Sequence, residues 1–267
     1  MRILWAFFKR DLLIETGYRL SFALQIIGIF PAILMFFFLS KLVDSAASES
    51  LQSYGGHYFP FVIIGIAVQN YLTISISGFS NRISESQLSG TLEAVLATPI
   101  KLSVFLTGST IYGFVFNFFR IFLYLIVGTI FFDVTFHWSR LLVTLVSFPL
   151  IIASFAALGI GSAAFIILFK RGNPVVWGIS VLSWLLGGVY YPVSLMPECL
   201  QTIASFIPMT HALELLRQGL IVNKATGNIA GHLSALAAWT FIGLPFSFWC
   251  FGKALNRSKM KGSLGHY

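Results

Sequence analysis

The stretch YFPFVIIGIAVQNYLTISISGFSN, Tyr58–Asn81, decides the fold because it runs from end to end without a charged side chain. An α-helix rises about 1.5 Å per residue, so about 20 apolar residues cross the hydrocarbon core of a bilayer. The stretch is longer than this minimum. It therefore predicts a transmembrane helix.

Five further apolar windows lie on either side of this one. Of all residues, 57% are hydrophobic and 10% are charged, which leaves too little polar surface to cover a soluble globule. The first window is read as a retained span, because its apolar run is longer than that of a signal peptide. The sequence thus predicts an all-α integral membrane protein, a single transmembrane domain over residues 1–267. Its six spans are expected at about 20–43, 58–81, 102–132, 141–169, 174–196 and 229–252.

The lysines and arginines gather at the ends of these spans and give the chain a formal net charge of +8. This distribution favours contact with membrane lipid headgroups over contact with nucleic acid. Most of them fall on one side of the membrane if both termini are cytoplasmic. Since basic residues are enriched on the cytoplasmic side, we expect both termini there.

Residues 1–19 precede the first span and predict an interfacial amphipathic helix. Apolar and charged side chains separate to opposite faces of such a helix. The apolar face holds Leu4, Phe7, Phe8 and Leu12, and the polar face holds Arg2, Lys9, Arg10 and Asp11. A solvated start of the chain is the alternative.

Residues 82–101 separate the second and third spans on the cytoplasmic side and include SGTLEAVLATPIK, Ser89–Lys101. An apolar stripe recurs here at helical spacing, formed by Leu88, Leu92, Val95 and Leu96. Pro99 ends this helix after about two turns. So short a helix needs a partner that buries its apolar face. That partner is either a groove on a soluble protein or the membrane surface.

Residues 197–228 lie outside, between the fifth and sixth spans. Their charged residues, Glu198, Glu214, Arg217 and Lys224, make the segment too polar to cross the bilayer. Pro208 divides it into two short helices. These helices form either a re-entrant hairpin that dips into the membrane or a plain surface loop.

Arg120 is the one charged residue in the interior of a span, within 102–132, whereas Lys41 lies at the end of the first span. An arginine at membrane depth is costly, so it should face a polar cavity, a partner or headgroups. Asn117 lies one turn earlier on the same face, and Gln69 and Asn70 lie in the second span. These four residues are candidates for a pathway that meets an anionic substrate head. The alternative is an arginine that snorkels or braces two helices.

The sequence contains no motif that is typical of an enzyme. No Walker A motif, H-E-x-x-H or G-x-S-x-G occurs, so we expect no catalytic, cofactor-binding or metal-ligating residues and no membrane-embedded transferase. A secondary transporter or channel that acts without an ATPase is the main alternative to an ATP-driven transporter. Such proteins usually carry acidic residues within their spans, and these spans hold none.

Two motifs resemble those of the ABC-2 type permeases, the membrane subunits of a class of ABC exporters. The first, close to S-G-T-L-E-x-L-x-x-T-P after the second span, reads here Ser89 to Pro99 as SGTLEAVLATP. The second begins with a Gly–aromatic–Pro element and ends in an external E-x-x-R-like element. It matches GGVYYPVSLMP over Gly187–Pro197, followed by Pro208, Met209, Thr210, Glu214 and Arg217.

This resemblance implies that the 82–101 region is a coupling helix that seats in an ATPase subunit. The residues expected to contact that subunit are Arg82, Glu85, Leu88, Gly90, Thr91, Leu92, Glu93, Leu96 and Pro99. ATP and Mg would then bind on the partner ATPase, and this chain would carry no cofactor. The resemblance further implies two ATPase subunits, a second copy of the permease or a related permease, and a location in the inner (cytoplasmic) membrane.

The resemblance also implies a gate at the outer mouth of the pathway. Candidate gate residues are Tyr190, Tyr191, Pro192, Pro197, Pro208, Glu214 and Arg217. Family members export drugs, lipid-linked polysaccharides or lipo-oligosaccharides. An amphipathic, lipid-linked or glycan substrate is therefore expected.

Overall fold

The computed structural model describes residues 2–88, 90–91, 98, 102–132, 134, 136, 140–169, 174–222 and 228–260. Within these ranges the chain forms helices and no β-strands, as the sequence predicts. The α-helices are α1 (Arg2–Gly17), α2 (Arg19–Ile27), α3 (Ile29–Ala47), α4 (Tyr58–Leu88), α5 (Leu102–Phe132), α6 (Leu141–Phe169), α7 (Pro174–Leu186), α8 (Glu198–Ala204), α9 (Pro208–Leu220), α10 (Ile229–Ala238) and α11 (Leu244–Met260).

Five helical stretches of the described chain are long and apolar enough to cross a membrane. They are Phe22–Asp44, Tyr58–Leu88, Val104–Phe132, Leu142–Phe169 and Ile229–Ser258. The first combines α2 and α3. The last combines α10 and α11, which a π-helical turn at Trp239–Gly243 joins. Five of the six predicted spans therefore have a matching helix.

The fifth predicted span, 174–196, differs from the structure in its extent. Helix α7 has 13 residues and ends at Leu186, so it rises only about 20 Å. The chain then turns at Gly187 and Gly188, where φ is +78° at Gly188. A left-handed conformation of this kind suits glycine, which lacks a Cβ. A sixth span therefore remains a prediction.

Helix α4 is the centre of the bundle. It packs against α3, α5, α6, α7 and α9. Phe61, Leu72, Ile76 and Ile83 on this helix are fully buried, because neighbouring helices pack on most of its sides. It also continues two turns beyond the predicted end at Asn81, to Leu88.

Small residues let α6 approach α4 closely. A Cβ at Gly159 would lie 2.5 Å from the Phe79 ring and 2.8 Å from the Ser75 carbonyl oxygen. One turn away, the hydroxyls of Ser80 and Ser162 share a 2.7 Å hydrogen bond. Close approach over small residues, with a buried polar bond, is the usual packing of membrane helices.

Helix α1 lies against α5. The Phe7 ring contacts Gly108, where a Cβ would lie 2.7 Å from a ring carbon, and Phe8 packs against Tyr112 with ring centroids 5.9 Å apart. The helix predicted for the N-terminal segment is thus present. Asp11, however, is not on a solvated polar face. Its side chain is buried, with 2% of it exposed.

Candidate translocation and coupling sites

A polar cavity of about 330 Å³ lies between α4 and α5, beside the N-terminal helices. Its walls carry amides, hydroxyls and charges of both signs in an otherwise apolar bundle. A cavity of this kind holds water and polar groups at membrane depth. The polar and charged residues that line it are Glu15, Gln25, Ser75, Asn81, Arg82, Glu85, Ser109, Thr110, Tyr112, Asn117 and Arg120.

Arg120 and Asn117, two of the four pathway candidates, line this cavity. Asn117 is buried and donates from Nδ2 to the carbonyl oxygen of Gly113 at 2.7 Å. The Arg120 Nε atom is buried and makes no hydrogen bond to any residue that the structure describes. Arg120 lies 18 residues into α5, about 27 Å along the helix axis. A cation with unused donor capacity thus lies deep in a polar cavity.

Gln69 and Asn70, the other two candidates, do not line this cavity. Asn70 donates from Nδ2 to the Tyr124 hydroxyl at 2.9 Å, which joins α4 to α5. Gln69 donates from Nε2 to the Thr73 hydroxyl at 3.4 Å on its own helix. The structure therefore separates the four candidates into two pairs.

At the end of the cavity nearest Leu88, Arg82 joins three helices. Its Nη2 atom lies 3.2 Å from the Asp11 carboxylate, and its Nε donates to the Ser109 carbonyl oxygen at 3.2 Å. Its Nη1 lies 3.5 Å from Glu85, and Arg10 lies 2.8 Å from the other Asp11 oxygen. We call Asp11, Arg10, Arg82, Glu85 and Ser109 the Asp11–Arg82 cluster. Arg82, predicted as a contact to an ATPase, is thus engaged within its own chain.

Only part of the predicted coupling surface falls on described residues. Leu88 ends α4 with 68% of its surface exposed, and Glu85 is exposed on the same helix. Gly90 follows with φ +66°, a left-handed conformation, and Thr91 is exposed. Leu92, Glu93, Leu96 and Pro99 lie outside the described residues. The described part places an exposed leucine at the tip of the central helix.

Arg217 lies in the segment that the sequence predicts to be external, and its side chain is fully buried, with 1% exposed. Its guanidinium donates to the carbonyl oxygens of Gly188 at 2.8 Å, Val189 at 3.1 Å and Phe61 at 3.1 and 3.3 Å. It also lies 3.4 Å from the centroid of the Phe61 ring. Burial lowers the pKa of Arg217 to about 10, so the side chain stays charged at neutral pH.

Glu214, one turn earlier on α9, accepts a hydrogen bond from the Tyr54 hydroxyl at 2.5 Å. Burial raises the pKa of Tyr54 above its ordinary value, and the nearby Glu214 carboxylate raises it further. Tyr54 therefore stays neutral and keeps its donor proton. Glu214 and Arg217 together tie α9 to the segment before α4 and to the start of α4.

The other gate candidates divide into two groups. Tyr190, Tyr191 and Pro192 line a pocket of about 340 Å³ together with Tyr58 and Leu195. Pro197 directly precedes α8, and Pro208 opens α9. The two short helices predicted on either side of Pro208 are therefore present. All residues of α9 except Glu214 are buried, so this helix is no surface loop.

A family profile described as ABC-2 type transporter matches residues 3–221 of this chain. The chain belongs to the ABC-2 type transporter family. It is therefore the membrane component of an ABC transporter, a multi-pass transport protein rather than a catalytic subunit. The matched range includes the polar cavity, the Asp11–Arg82 cluster and the buried Arg217. Helices α10 and α11 follow it in the chain.

A curated relative of this ABC-2 protein is "Nodulation protein J" of Sinorhizobium fredii (strain NBRC 101917 / NGR234). The two chains are 34% identical over 61 residues. That alignment covers 23% of this chain and 22% of the relative. It supports the relationship but is too short to carry over an activity or substrate.

The sequence pattern does not reveal several site residues of this ABC-2 protein. It predicts a polar face for Asp11 and no role for Tyr54, Phe61 or Gly65. A Cβ at Gly65 would overlap the Val189 carbonyl oxygen, so glycine is needed where α4 meets the Gly188–Val189 backbone. The usable signal is a carboxylate that directly follows two basic residues in an otherwise apolar helix, because such a carboxylate needs a cation nearby once it is buried.

Proposed function

We propose that this chain is the permease subunit of an ATP-driven ABC exporter. It forms the translocation pathway as a dimer, coupled to separate ATPase subunits that bind ATP and Mg. The substrate is an amphipathic, lipid-linked or glycan molecule that moves out of the cytoplasm across the inner membrane. The observation that supports the proposal is the polar cavity lined by Arg120. It occurs in a chain that belongs to the ABC-2 family.

Helix α4 supplies a mechanical link for this function. It is one continuous helix of 31 residues, with the exposed Leu88 at one end and Phe61 near the other. Force applied near Leu88 reaches the cavity through Arg82 and Asn81, and it reaches the Arg217 contacts through Phe61. A stiff element that contacts several sites transmits a displacement between them.

The charges in the cavity support the assigned substrate class. Arg82 and Arg120 line the cavity together with Glu15 and Glu85. Arg82 is paired with Asp11 and Glu85, whereas Arg120 has no ion pair among the described residues and is the cation left for a substrate anion. A volume of about 330 Å³ suits a polar headgroup rather than a whole lipid. We infer that an anionic headgroup enters the cavity while the apolar part of the substrate stays in the bilayer.

Two ATPase subunits and a second permease copy complete the proposed assembly. Members of the ABC-2 family typically pair with nucleotide-binding ATPase subunits and form dimers. A dimer of identical chains places the pathway on a two-fold axis. A dimer with a related permease would serve the same mechanism.

Co-purification tests the ATPase partnership. The tagged full chain is isolated from the membranes of its own host, and ATP hydrolysis in the eluate is measured. We expect a co-purifying subunit with ATPase activity, and we expect Leu88→Asp to lower its yield about tenfold or more, because an exposed apolar anchor becomes charged. Ile203→Asp on α8 is the control, since Ile203 is also exposed. Helix α8 packs near Tyr191, and Tyr191 shares a pocket with Tyr58, at the end of α4 opposite Leu88.

Two results would contradict the proposal. One is transport by the purified chain in vesicles that contain neither an ATPase nor ATP, which would support a secondary transporter or channel. The other is an ATPase yield that Leu88→Asp leaves equal to that of Ile203→Asp.

A further inference from the structure

A groove between α6 and α11 lies apart from the polar cavity and from α9. Its volume is about 640 Å³, and apolar and basic side chains line it together. We propose that this groove binds one anionic phospholipid, with the phosphate at Lys253 and Arg257 and an acyl chain along Phe165, Leu168 and Trp249. This site is separate from the proposed export function and does not rest on it.

Within the part of the chain that the structure describes, the basic end of the groove has no acidic partner. Lys253 and Arg257 lie one turn apart on α11, and both are exposed. Among the described residues, no carboxylate lies within 4 Å of either side chain. The sequence from Ile229 to Tyr267 contains no aspartate or glutamate at all. Two neighbouring cations without an acidic partner match a phosphate group.

The apolar part of the groove continues directly from these cations. Trp249 is 55% exposed and Leu168 is 43% exposed, on facing helices. The small residues Gly161 and Ala164 give the groove its depth on the α6 side. From Arg257 back to Trp249, α11 rises about 12 Å. An occupant therefore needs a charged head joined to an apolar chain.

Trp249 fixes the level of the groove relative to the membrane. Lys253 Nζ lies 3.9 Å from the Trp249 ring centroid, and both belong to the end of the span Ile229–Ser258. Tryptophan and lysine concentrate where the hydrocarbon meets the headgroups. A phospholipid is the molecule that has its phosphate at that level and its chain directly beside the apolar helices. Charge and depth thus favour a lipid over a soluble protein.

Quenching of Trp249 by brominated lipids tests the site. The full chain is reconstituted in vesicles with increasing fractions of dibrominated phosphatidylglycerol or dibrominated phosphatidylcholine. The Trp249 signal is the difference between the wild type and Trp249→Phe. We expect half-maximal quenching at a fraction of phosphatidylglycerol about tenfold lower than that of phosphatidylcholine, because each basic residue near the surface favours an anionic lipid.

Variants assign this preference to the two cations. In Lys253→Gln/Arg257→Gln the two lipids should quench within about twofold of each other, since only the apolar contacts remain. Lys253→Arg/Arg257→Lys should keep the preference. Lys9→Gln/Arg19→Gln removes the same charge from exposed positions on α1 and α2 and should also keep it.

Three results would overturn the proposal. Equal quenching by the two lipids in the wild type would show that the groove has no headgroup selectivity. A preference that survives in Lys253→Gln/Arg257→Gln would place the selectivity elsewhere. Absence of quenching by either lipid would show that protein covers Trp249, such as a second copy of this chain or another subunit.

Discussion

Arg217 donates two hydrogen bonds to the carbonyl oxygen of Phe61, although 156 residues separate the two in the chain. Its cation also lies over the Phe61 ring, and its remaining donors satisfy Gly188 and Val189. One side chain thus fastens α9 to the start of α4 and to the turn that follows α7. The charge stabilises the bundle because the buried carbonyl oxygens of Gly188 and Val189 accept from it and, among the described residues, from no backbone N–H.

Replacing Arg217 with Met should strongly destabilise the protein. Methionine fills part of the volume but leaves three buried carbonyl oxygens without these donors, at a cost of about 3 kcal/mol in the free energy of unfolding. Arg217→Lys should also lower the free energy of unfolding, but by less than Arg217→Met does, because one ammonium cannot reproduce the planar fork of arginine. Thermal unfolding in detergent measures both.

The control for this prediction is Arg19→Lys, because Arg19 is exposed at the start of α2. It should unfold like the wild type. Equal unfolding temperatures for Arg217→Met and the wild type would show that the buried guanidinium contributes nothing to stability.

Asp11 should hold α1 in place through Arg82. In Asp11→Asn the buried acceptor loses its charge, so both its ion pairs, with Arg82 and Arg10, are lost. We expect the free energy of unfolding to fall by about 1–2 kcal/mol, because the two ion pairs are only partly buried. Limited proteolysis with trypsin at Lys9 and Arg10 measures the release of α1, and cleavage should speed up about tenfold.

Glu85→Gln is the matched control for Asp11→Asn. Glu85 also contacts Arg82, but at 3.5 Å and with 65% of its side chain exposed. Glu85→Gln should therefore lower the free energy of unfolding by less than about 0.5 kcal/mol. If both variants are cleaved at the wild-type rate, the Asp11–Arg82 cluster does not hold α1.

The uncharged windows of the sequence predict the five long helices of the bundle, because side chains that are buried or that contact lipid are both apolar. The same windows end the second span at Asn81, where the next residue is charged. Helix α4 continues to Leu88, and Arg82 within this extension pairs with Asp11 of α1. Because the two residues are 71 positions apart, this pair is visible only in the folded chain. The windows also extend the fifth span through Gly187 and Gly188, where the chain turns.

Site prediction met the same limit. The sequence does not predict that Arg217 is buried, because the carbonyl oxygens that it binds are distant from it in the chain. Arg120 was identified because an arginine within a long apolar run has few allowed surroundings. The free-energy cost of an arginine at membrane depth therefore points to Arg120 from the sequence alone. Only the structure shows that this residue lines the polar cavity.

Gly159→Ala should weaken the contact between α4 and α6. The added Cβ would lie 2.5 Å from Phe79 and 2.8 Å from the Ser75 carbonyl oxygen, and that backbone atom cannot move away easily. We expect a net cost of about 1–3 kcal/mol, measured by thermal unfolding in detergent. Gly178→Ala on α7 is the control, because no atom lies within 4 Å of its added Cβ. The control should unfold at or above the wild-type temperature, since alanine favours helices.

A higher unfolding temperature for Gly159→Ala than for Gly178→Ala would contradict this packing. It would mean that α6 has room to shift away from Phe79, and that the small residues of α6 are not required for the contact.

Asn117→Cys should react with water-soluble thiol reagents and should prefer an anionic one. Asn117 faces the polar cavity that also holds Arg82 and Arg120. With Cys199 and Cys250 replaced by alanine, the introduced thiol should react about fivefold faster with a sulfonate reagent than with a trimethylammonium reagent. The reason is that Arg120, which has no ion-pair partner among the described residues, lies one turn from this position and attracts anions, whereas Arg82 is paired with Asp11 and Glu85. Both reagents consume the same thiolate, so a change in its pKa cancels in the ratio.

Phe119→Cys is the control for solvent access. Phe119 is more exposed than Asn117 but belongs to the outer surface of an apolar helix, so a cysteine there should meet lipid and resist both charged reagents. Adding Arg120→Gln to Asn117→Cys should bring the ratio of the two rates close to one. A preference for the anionic reagent that is unchanged without Arg120 would exclude this arginine from the anion-attracting surface of the cavity, and with it the proposed contact to an anionic substrate.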